Sequence, residues 1–404
     1  MNKPMSFPVF DQTNLAGIPM KNRLIRSATH EAMGTDSGKP SQALFKKYEA
    51  LAKGGVGAII TGYAGISQQG RSPLGHMLMI DSDDLIPAYR DLVDRIHALD
   101  TALILQIAHC GRQTSKSATG QVVVAPSAIR DKIYSDQIPK ELSTEDIHEI
   151  IDQFVQAIHR AKEAGFDGVQ LHGAHGYLLS SFLSPHMNRR KDQWGGSVEN
   201  NFRIISEIVA KARKQVGDYP ILLKLNGHEI SKRGVDSRRS VAYAQLAQAC
   251  GISAIEVSAG IMEEGLVTAR GQIPYDVLFQ TNAALSRVPR LLRKPIRPLV
   301  TKRLGNPQPH RRFNQPYAKA IKDTLTIPVI VVGGIRSLED IEVILSTGSA
   351  DFVSMSKPFI LEPNLAQKFQ EGKQVKAKCM DCNICLLKHD GSPLRCYYGT
   401  YKRP

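Results

Sequence analysis

The chain has 404 residues, 42% of them hydrophobic and 22% charged, with a formal net charge of +14. That is ample for a large core, and the length fits one α/β barrel with appendages, a class in which single domains run long. No stretch approaches the roughly 18 consecutive apolar residues of a membrane helix, and Met1-Asn-Lys-Pro-Met-Ser lacks the apolar run of a secretion signal, so a soluble cytoplasmic protein is expected.

One unit recurs along the chain: an amphipathic helix, a break often marked by glycine, then a short β-branched strand. Residues 22–28 read as the opening strand. A helix over 41–53 leads into strand 56–62, and one over 87–99 leads into strand 102–108. The clearest copy starts at the capping box Ser143-Thr-Glu-Asp146. It carries Ile147, Ile150, Ile151, Phe154, Val155, Ile158 and Ala161 on one face, stops at Gly165 and leads into Gly168-Val-Gln-Leu-His172. Helices over 201–216, 240–251, 316–324 and 337–348 precede strands at 220–226, 254–258, 328–334 and 351–355. Eight strands alternating with helices predict a (β/α)8 barrel in preference to an open doubly wound sheet. No Gly-x-Gly-x-x-Gly turn follows the first strand, which argues against a separate nicotinamide domain.

Two segments exceed this plan. A basic insertion from about 270 to 314, before the seventh strand, holds Arg287, Arg290, Arg293, Lys294, Arg297, Lys302, Arg303, Arg311 and Arg312, interspersed with Pro289, Pro295, Pro298, Pro307 and Pro309. A proline-broken basic run reads first as a solvated loop and second as an anion-attracting rim, so the charge does not imply nucleic acid or a membrane as partner. The division is then a barrel over 1–366 and a Cys-rich tail over 367–404. Cys110 and Cys250 are isolated, whereas Cys379, Cys382, Cys385 and Cys396 crowd that tail. Without a secretion signal, such crowding points to metal before disulfides. A four-iron cluster, structural zinc and metal-free thiols all stay open.

The chemistry gathers where the fourth strand ends. His172, His175 and Tyr177 lie within six positions at the carboxyl edge of that strand, where parallel α/β folds place their sites. Two imidazoles can donate hydrogen bonds to an electron-poor oxygen of a small-molecule substrate while a phenol supplies a proton, which reads as a reductive site.

Asn22-Arg, Gln106-Ile-Ala-His-Cys-Gly-Arg112, His172-Gly-Ala-His175-Gly-Tyr177-Leu, Phe182-Leu-Ser-Pro and Trp194-Gly-Gly-Ser-x-Glu-Asn200 together resemble the Old Yellow Enzyme family of flavin-dependent NAD(P)H oxidoreductases, over about 7–363. The Cys-rich tail resembles the bacterial branch that includes 2,4-dienoyl-CoA reductase, whose four-iron cluster has three residues, not two, between the second and third cysteines. The resemblance implies non-covalent FMN, with NAD(P)H as co-substrate. It places Ala28 and Thr29 against the flavin through their backbone, His30 and Gly65 near its ring and Gln106 on its pyrimidine edge. Lys224 stands where many relatives have arginine, and Gly333, Gly334, Ser356 and Lys357 at the phosphate. His172 and His175 would bind the carbonyl or nitro oxygen of an activated alkene, hydride would reach its β carbon from the flavin, and Tyr177 would protonate the α carbon. Oxidative demethylation or amine dehydrogenation in the same barrel, or a flavoprotein electron carrier, are the alternatives. An electron-transfer partner and a homo-oligomer are compatible with each.

Overall fold

Every strand of the repeating unit is short and apolar, and eight of them close on one another. In the computed structural model of the protein, β1 (Leu24–Arg26), β2 (Ala58–Ile60), β3 (Ala102–Ala108), β4 (Gly168–Gly173), β5 (Ile221–Asn226), β6 (Ala254–Ser258), β7 (Val329–Val332) and β8 (Phe352–Met355) each pair in parallel with the next, and β8 pairs with β1. The protein is a (β/α)8 barrel, and each strand falls where the repeat places it. The structure describes residues 8–265, 269–282, 285–304, 310–388, 392–397 and 399. Met1 to Ser6, Pro307 and Pro309, which entered the sequence reading, lie outside them. No helix among the described residues is long and apolar enough to cross a membrane.

The outer ring comprises α1 (Gln42–Lys53), α2 (Ile86–His97), α3 (Thr144–Glu163), α4 (Val198–Val216), α5 (Ser237–Ala249), α6 (Gln315–Lys322) and α7 (Leu338–Ser346). The capping box that starts α3 is complete: Ser143 Oγ accepts from the Asp146 amide at 3.1 Å, and the Asp146 carboxylate accepts from the Ser143 amide at 3.0 Å. The apolar face read for α3, from Ile147 to Ala161, is wholly buried. Ser337 and Asp340 cap α7 in the same way.

Strand alternation divides the barrel interior into two storeys. The lower one is apolar: Ile25, Ala58, Ile60, Ala102, Ile104, Leu222, Ala254, Ile330 and Phe352 pack together. Leu15, Ile18 and Met20 of an N-terminal hairpin close the floor. Two residues further along the inward register the side chains turn polar, and the chemistry is stacked on that level.

Two expectations change. The insertion is not an irregular loop. It contains helices at Tyr275–Thr281, Arg290–Arg293 and Arg297–Arg303. Pro274 and Pro289 stand at N-cap positions and Pro298 within the first helical turn, where a proline starts a helix instead of breaking one. The expected boundary at 366/367 falls inside the helix Leu365–Gln370, whose Leu365, Ala366 and Phe369 are buried in the main core. Beyond it the tail stays on the barrel. The Leu338 amide donates to the Val375 carbonyl, Ala377 to that of Arg336 and Leu394 to that of Glu31.

Because Phe369 is fully buried in that core, Phe369→Ala should remove about 3–5 kcal/mol of stability. Equilibrium urea denaturation measures it; a change under about 1 kcal/mol would mean that the helix is only a linker.

Candidate active site

The polar storey is built from one residue of each of six of the eight strands or strand ends. Glu256 on β6 is fully buried and accepts four hydrogen bonds. Ser27 and Ser354 hydroxyls donate to Oε1 at 2.7 Å each; Gln170 Nε2 and Lys224 Nζ donate to Oε2 at 2.9 Å each. Gln106 Nε2 continues the chain to Gln170 Oε1 at 2.7 Å, and Lys224 also donates to Ser27 Oγ at 3.0 Å. Strand register produces the layer: Gln170 lies beside Gln106, and His172 beside Lys224, which lies beside Glu256. Burial by itself would raise the carboxyl of Glu256. The Lys224 cation and the hydrogen bonds from Ser354, Ser27 and Lys224 outweigh it and hold the group below its ordinary range.

Above this floor a cavity of about 320 Å³ opens at the carboxyl ends of the strands. His172, His175 and Tyr177 share one wall, with the His172 ring centroid 5.2 Å from that of His175 and 4.6 Å from that of Tyr177. Burial first, then His175 and Lys224, push the His172 pKa well below its usual value. Burial and Lys224 lower His175 to about 3 against the opposing pull of Glu256. Both rings are therefore neutral near pH 7. His172 Nδ1 accepts from the Ala174 amide at 3.4 Å, which leaves the proton on Nε2 as a donor. His175 Nε2 is instead engaged by Ser258 Oγ at 2.7 Å, so its other nitrogen is the one left for a ligand.

His175 stands in the left-handed region at φ 65°, a conformation that costs a non-glycine residue about 1–3 kcal/mol. Its surroundings hold it there. The His175 carbonyl accepts from Gln113 Nε2 at 2.9 Å and from the Met262 amide at 3.2 Å, while its amide donates to Asn226 Oδ1 at 3.3 Å. The next residue must be glycine: a Cβ on Gly176, at φ 87°, would lie 2.4 Å from Gln113 Nε2. Tyr177 follows with its phenol pKa raised well above the ordinary value, by burial first and then by Tyr63 and Cys110.

The remaining expected residues divide. Ala28, Thr29, His30, Gln106, Lys224, Gly333, Gly334, Ser356 and Lys357 all line the cavity. Gly65 does not; a Cβ there would meet Met79 Sδ at 2.7 Å. Gly333 and Gly334 have φ values of 130° and 69°, and a Cβ on either would strike the 310–314 segment. The turn therefore requires glycine through its own backbone and packing. Lys357 donates to Asn383 Oδ1 at 3.0 Å and pairs with Asp381 at 2.9 Å, and Arg336 pairs with the same carboxylate. Sequence reasoning missed Tyr63, Gln170, Glu256, Ser258, Asn314 and Arg336. For Gln170 and Glu256 a signal existed, since each interrupts an apolar strand on the inward register.

FMN fits this cavity. A cation, Lys224, and one amide, Gln106, form its floor, cations and a hydroxyl stand at one end, and Asn314 Oδ1, buried and lining it, has no hydrogen-bond partner among the described residues. The cysteines fit a metal less simply. Cys379, Cys382, Cys385 and Cys396 line one small void and none is in a disulfide. Yet no three acidic, histidine or cysteine side chains among the described residues are placed to hold a single ion. Mononuclear zinc, which needs thiolates about 2.3 Å from one centre, is not supported by that arrangement.

Comparison with known proteins gives the family and agrees with the fold. A model of the NADH:flavin oxidoreductase / NADH oxidase family matches residues 9–296 and 276–376. The chain is 33% identical over 386 residues to the NADH oxidase of Thermoanaerobacter brockii, covering 94% of this chain and 53% of that protein. A complex of 2-naphthoyl-CoA reductase with 2-naphthoyl-CoA superposes at TM-score 0.80 and 22% identity, over 96% of this chain and 56% of that one. The Old Yellow Enzyme homologue of Zymomonas mobilis does so at 0.72 and 21%, over 93% and 95%. The two superpositions show the fold. The chain spans about half the length of the curated relatives it matches first.

Replacing Glu256 by Gln removes the counter-charge of a buried lysine, so stability at neutral pH should fall by about 3–5 kcal/mol. Because the carboxyl is held below its ordinary value, its contribution is complete above roughly pH 4.3 and is lost as pH falls through the lower folded value. Urea titrations of both proteins from pH 7 downwards should show the difference shrinking in acid. A difference that does not change with pH would mean that Glu256 is not an ionised partner.

Proposed function

Because this chain belongs to the NADH:flavin oxidoreductase / NADH oxidase family, of Old Yellow Enzyme type, we propose that it is an FMN-dependent NAD(P)H oxidoreductase that reduces activated, α,β-unsaturated alkenes. The observation that carries the reading is the wall of two neutral imidazoles and one high-pKa phenol above a buried cation. FMN, when bound, supplies a two-electron carrier between the reduced nicotinamide and a substrate carbon. Gln106 and Lys224 would hold its ring from the floor; Gly333, Gly334, Ser356, Lys357 and Arg336 would hold its phosphate end.

The chain's own residues supply the rest. His172 Nε2–H and the free nitrogen of His175 bind the substrate oxygen and draw electron density from the alkene. A neutral donor suits this task, because it stabilises charge that develops on the oxygen without giving its proton away. Tyr177 Oη delivers a proton to the α carbon. The raised pKa keeps that hydroxyl protonated until a strongly basic centre forms beside it. Amine dehydrogenation has less support, since a half-buried phenol with a raised pKa is suited to giving a proton and not to taking one. For the tail we propose an iron–sulfur cluster, supported by four cysteines, none in a disulfide, that line one void.

His172→Ala/His175→Ala should abolish binding of phenolic and enone ligands while FMN stays bound, each lost bond to a charged oxygen being worth about 1.5–3 kcal/mol. Unchanged ligand titrations would remove the imidazoles from the site. Tyr177→Phe should slow enone reduction by about 10²- to 10⁴-fold and leave quinone reduction, which needs no proton at carbon, at its normal rate. Stopped-flow traces of both oxidants would sink the acid assignment if the two slowed equally. Protein purified without oxygen should contain iron and acid-labile sulfide; zinc alone, or neither element, refutes the cluster.

A further inference from the structure

Tyr177 gives away a proton that it must recover. It is half-buried, and the surface it keeps belongs to the cavity wall that ligand and cofactor cover. Burial, the first cause of its raised pKa, makes a phenolate there costly, so the next turnover waits for a proton from elsewhere. A hydroxyl chain begins beside it, at Tyr63. The ring of Tyr63 lies 5.1 Å from that of Tyr177, 6.1 Å from His172 and 5.0 Å from His30, on which it stacks at an interplanar angle of 23°. Its hydroxyl donates to Ser72 Oγ at 3.2 Å. Burial raises the Tyr63 phenol first and Cys110 adds to it, while Ser72 and then Tyr177 draw it back down. Ser72 is buried, but its neighbours Arg71 and Pro73 are only half-buried and Gly75 and His76 are exposed, so the chain runs from the cavity wall towards solvent in a few residues.

We propose that Tyr63 and Ser72 form a proton relay that restores the proton of Tyr177 after each reduction, with Tyr63 as a positioning residue that acts through Tyr177. The inference rests on the alkene-reductase reading above. Its balance is simple. Hydride originating from reduced nicotinamide makes the C–H bond at the β carbon, and the Tyr177 O–H bond breaks as the α C–H bond forms. The Tyr63 O–H bond then breaks as the Tyr177 O–H bond re-forms. Ser72 passes its own proton to Tyr63 and takes one from water, which leaves hydroxide to the buffer. No electrons move in the relay. In the resting state donation runs outwards, from Tyr63 to Ser72, and each hydroxyl rotates once per cycle to reverse it.

The relay serves the second turnover and not the first, which separates it from a structural role. In rapid-mixing experiments on the holoenzyme with excess NAD(P)H and an enone, the first equivalent of product reports Tyr177 and the steady state reports its reprotonation. Quinone turnover by the same variant gives the ceiling set by reduction of the cofactor. Tyr63→Phe, which removes only the hydroxyl, should raise the ratio of first-turnover to steady-state enone rate by on the order of tenfold or more, with enone turnover falling below the quinone ceiling. Ser72→Ala should move the ratio the same way and serves if Tyr63→Phe does not fold. An unchanged ratio in either variant overturns the relay. Tyr177→Phe measured alongside slows the first equivalent itself; if it does not, the acid assignment fails, a result distinct from failure of the relay.

Discussion

The buried contact between Lys224 and Glu256 is the constraint from which the rest of the site follows. A charge taken out of water is tolerated only when paired and fully hydrogen-bonded. Glu256 meets that condition by drawing Ser27, Gln170, Lys224 and Ser354 to one point. These residues come from β4, β5, β8 and the end of β1, so the carboxylate ties opposite sides of the barrel together at one height. Below that height the interior is apolar and sealed by the hairpin. Above it the strands end and side chains become available to a ligand. The ion pair adds little net stability by itself; its effect is to place a cation under the cavity floor.

The loops above the floor are held by a second charged cluster. Arg112, fully buried, pairs with Glu263, lies 4.0 Å from Asp131 and donates to the carbonyls of Ile129 and Arg130 at 3.3 and 3.0 Å. The loops after β3 and β6 are thus tied to the 129–135 segment. The same β6 loop offers the Met262 amide that helps hold His175 in its left-handed conformation. Position and orientation of the imidazole wall therefore depend on charges that never touch a ligand, a common division of labour between a site and its supports.

The barrel was legible in the sequence because its signal is local. Period-3.6 helices with capping boxes and short apolar strands each carry their own pattern, as α3 does from Ser143 to Ala161. The histidines and Tyr177 were legible because they cluster within one strand end. For Glu256 and Gln170 only the polar interruption of an apolar strand was legible, and for Tyr63 not even that, because their partners lie in register across the barrel: nothing within Ala254-Ile-Glu-Val-Ser258 says that the carboxylate will face Lys224. The insertion was misread for a related reason. A proline counts as a breaker or as a first-turn residue according to where the helix begins, and the run of arginines around it obscured that start.

The tail cannot be treated as an appendage to this machinery. Asp381, between the first and second cysteines of the tail, lines both the void among the cysteines and the large cavity. It pairs with Lys357 and Arg336, the two cations beside the glycine turn at the phosphate end. Its backbone carbonyl accepts from the Gln272 amide, and Asn383 Nδ2 donates to the carbonyls of Arg270 and Gln272 at 2.9 and 3.0 Å, so the stem of the insertion is held by the same few residues. Anything that moves the cysteines moves Asp381, and so changes the charge balance of the two cations. Anything that binds those cations competes with Asp381 for them. The division at residue 366 separated two segments that share one set of charges, and electrostatics, more than chain order, defines the working unit.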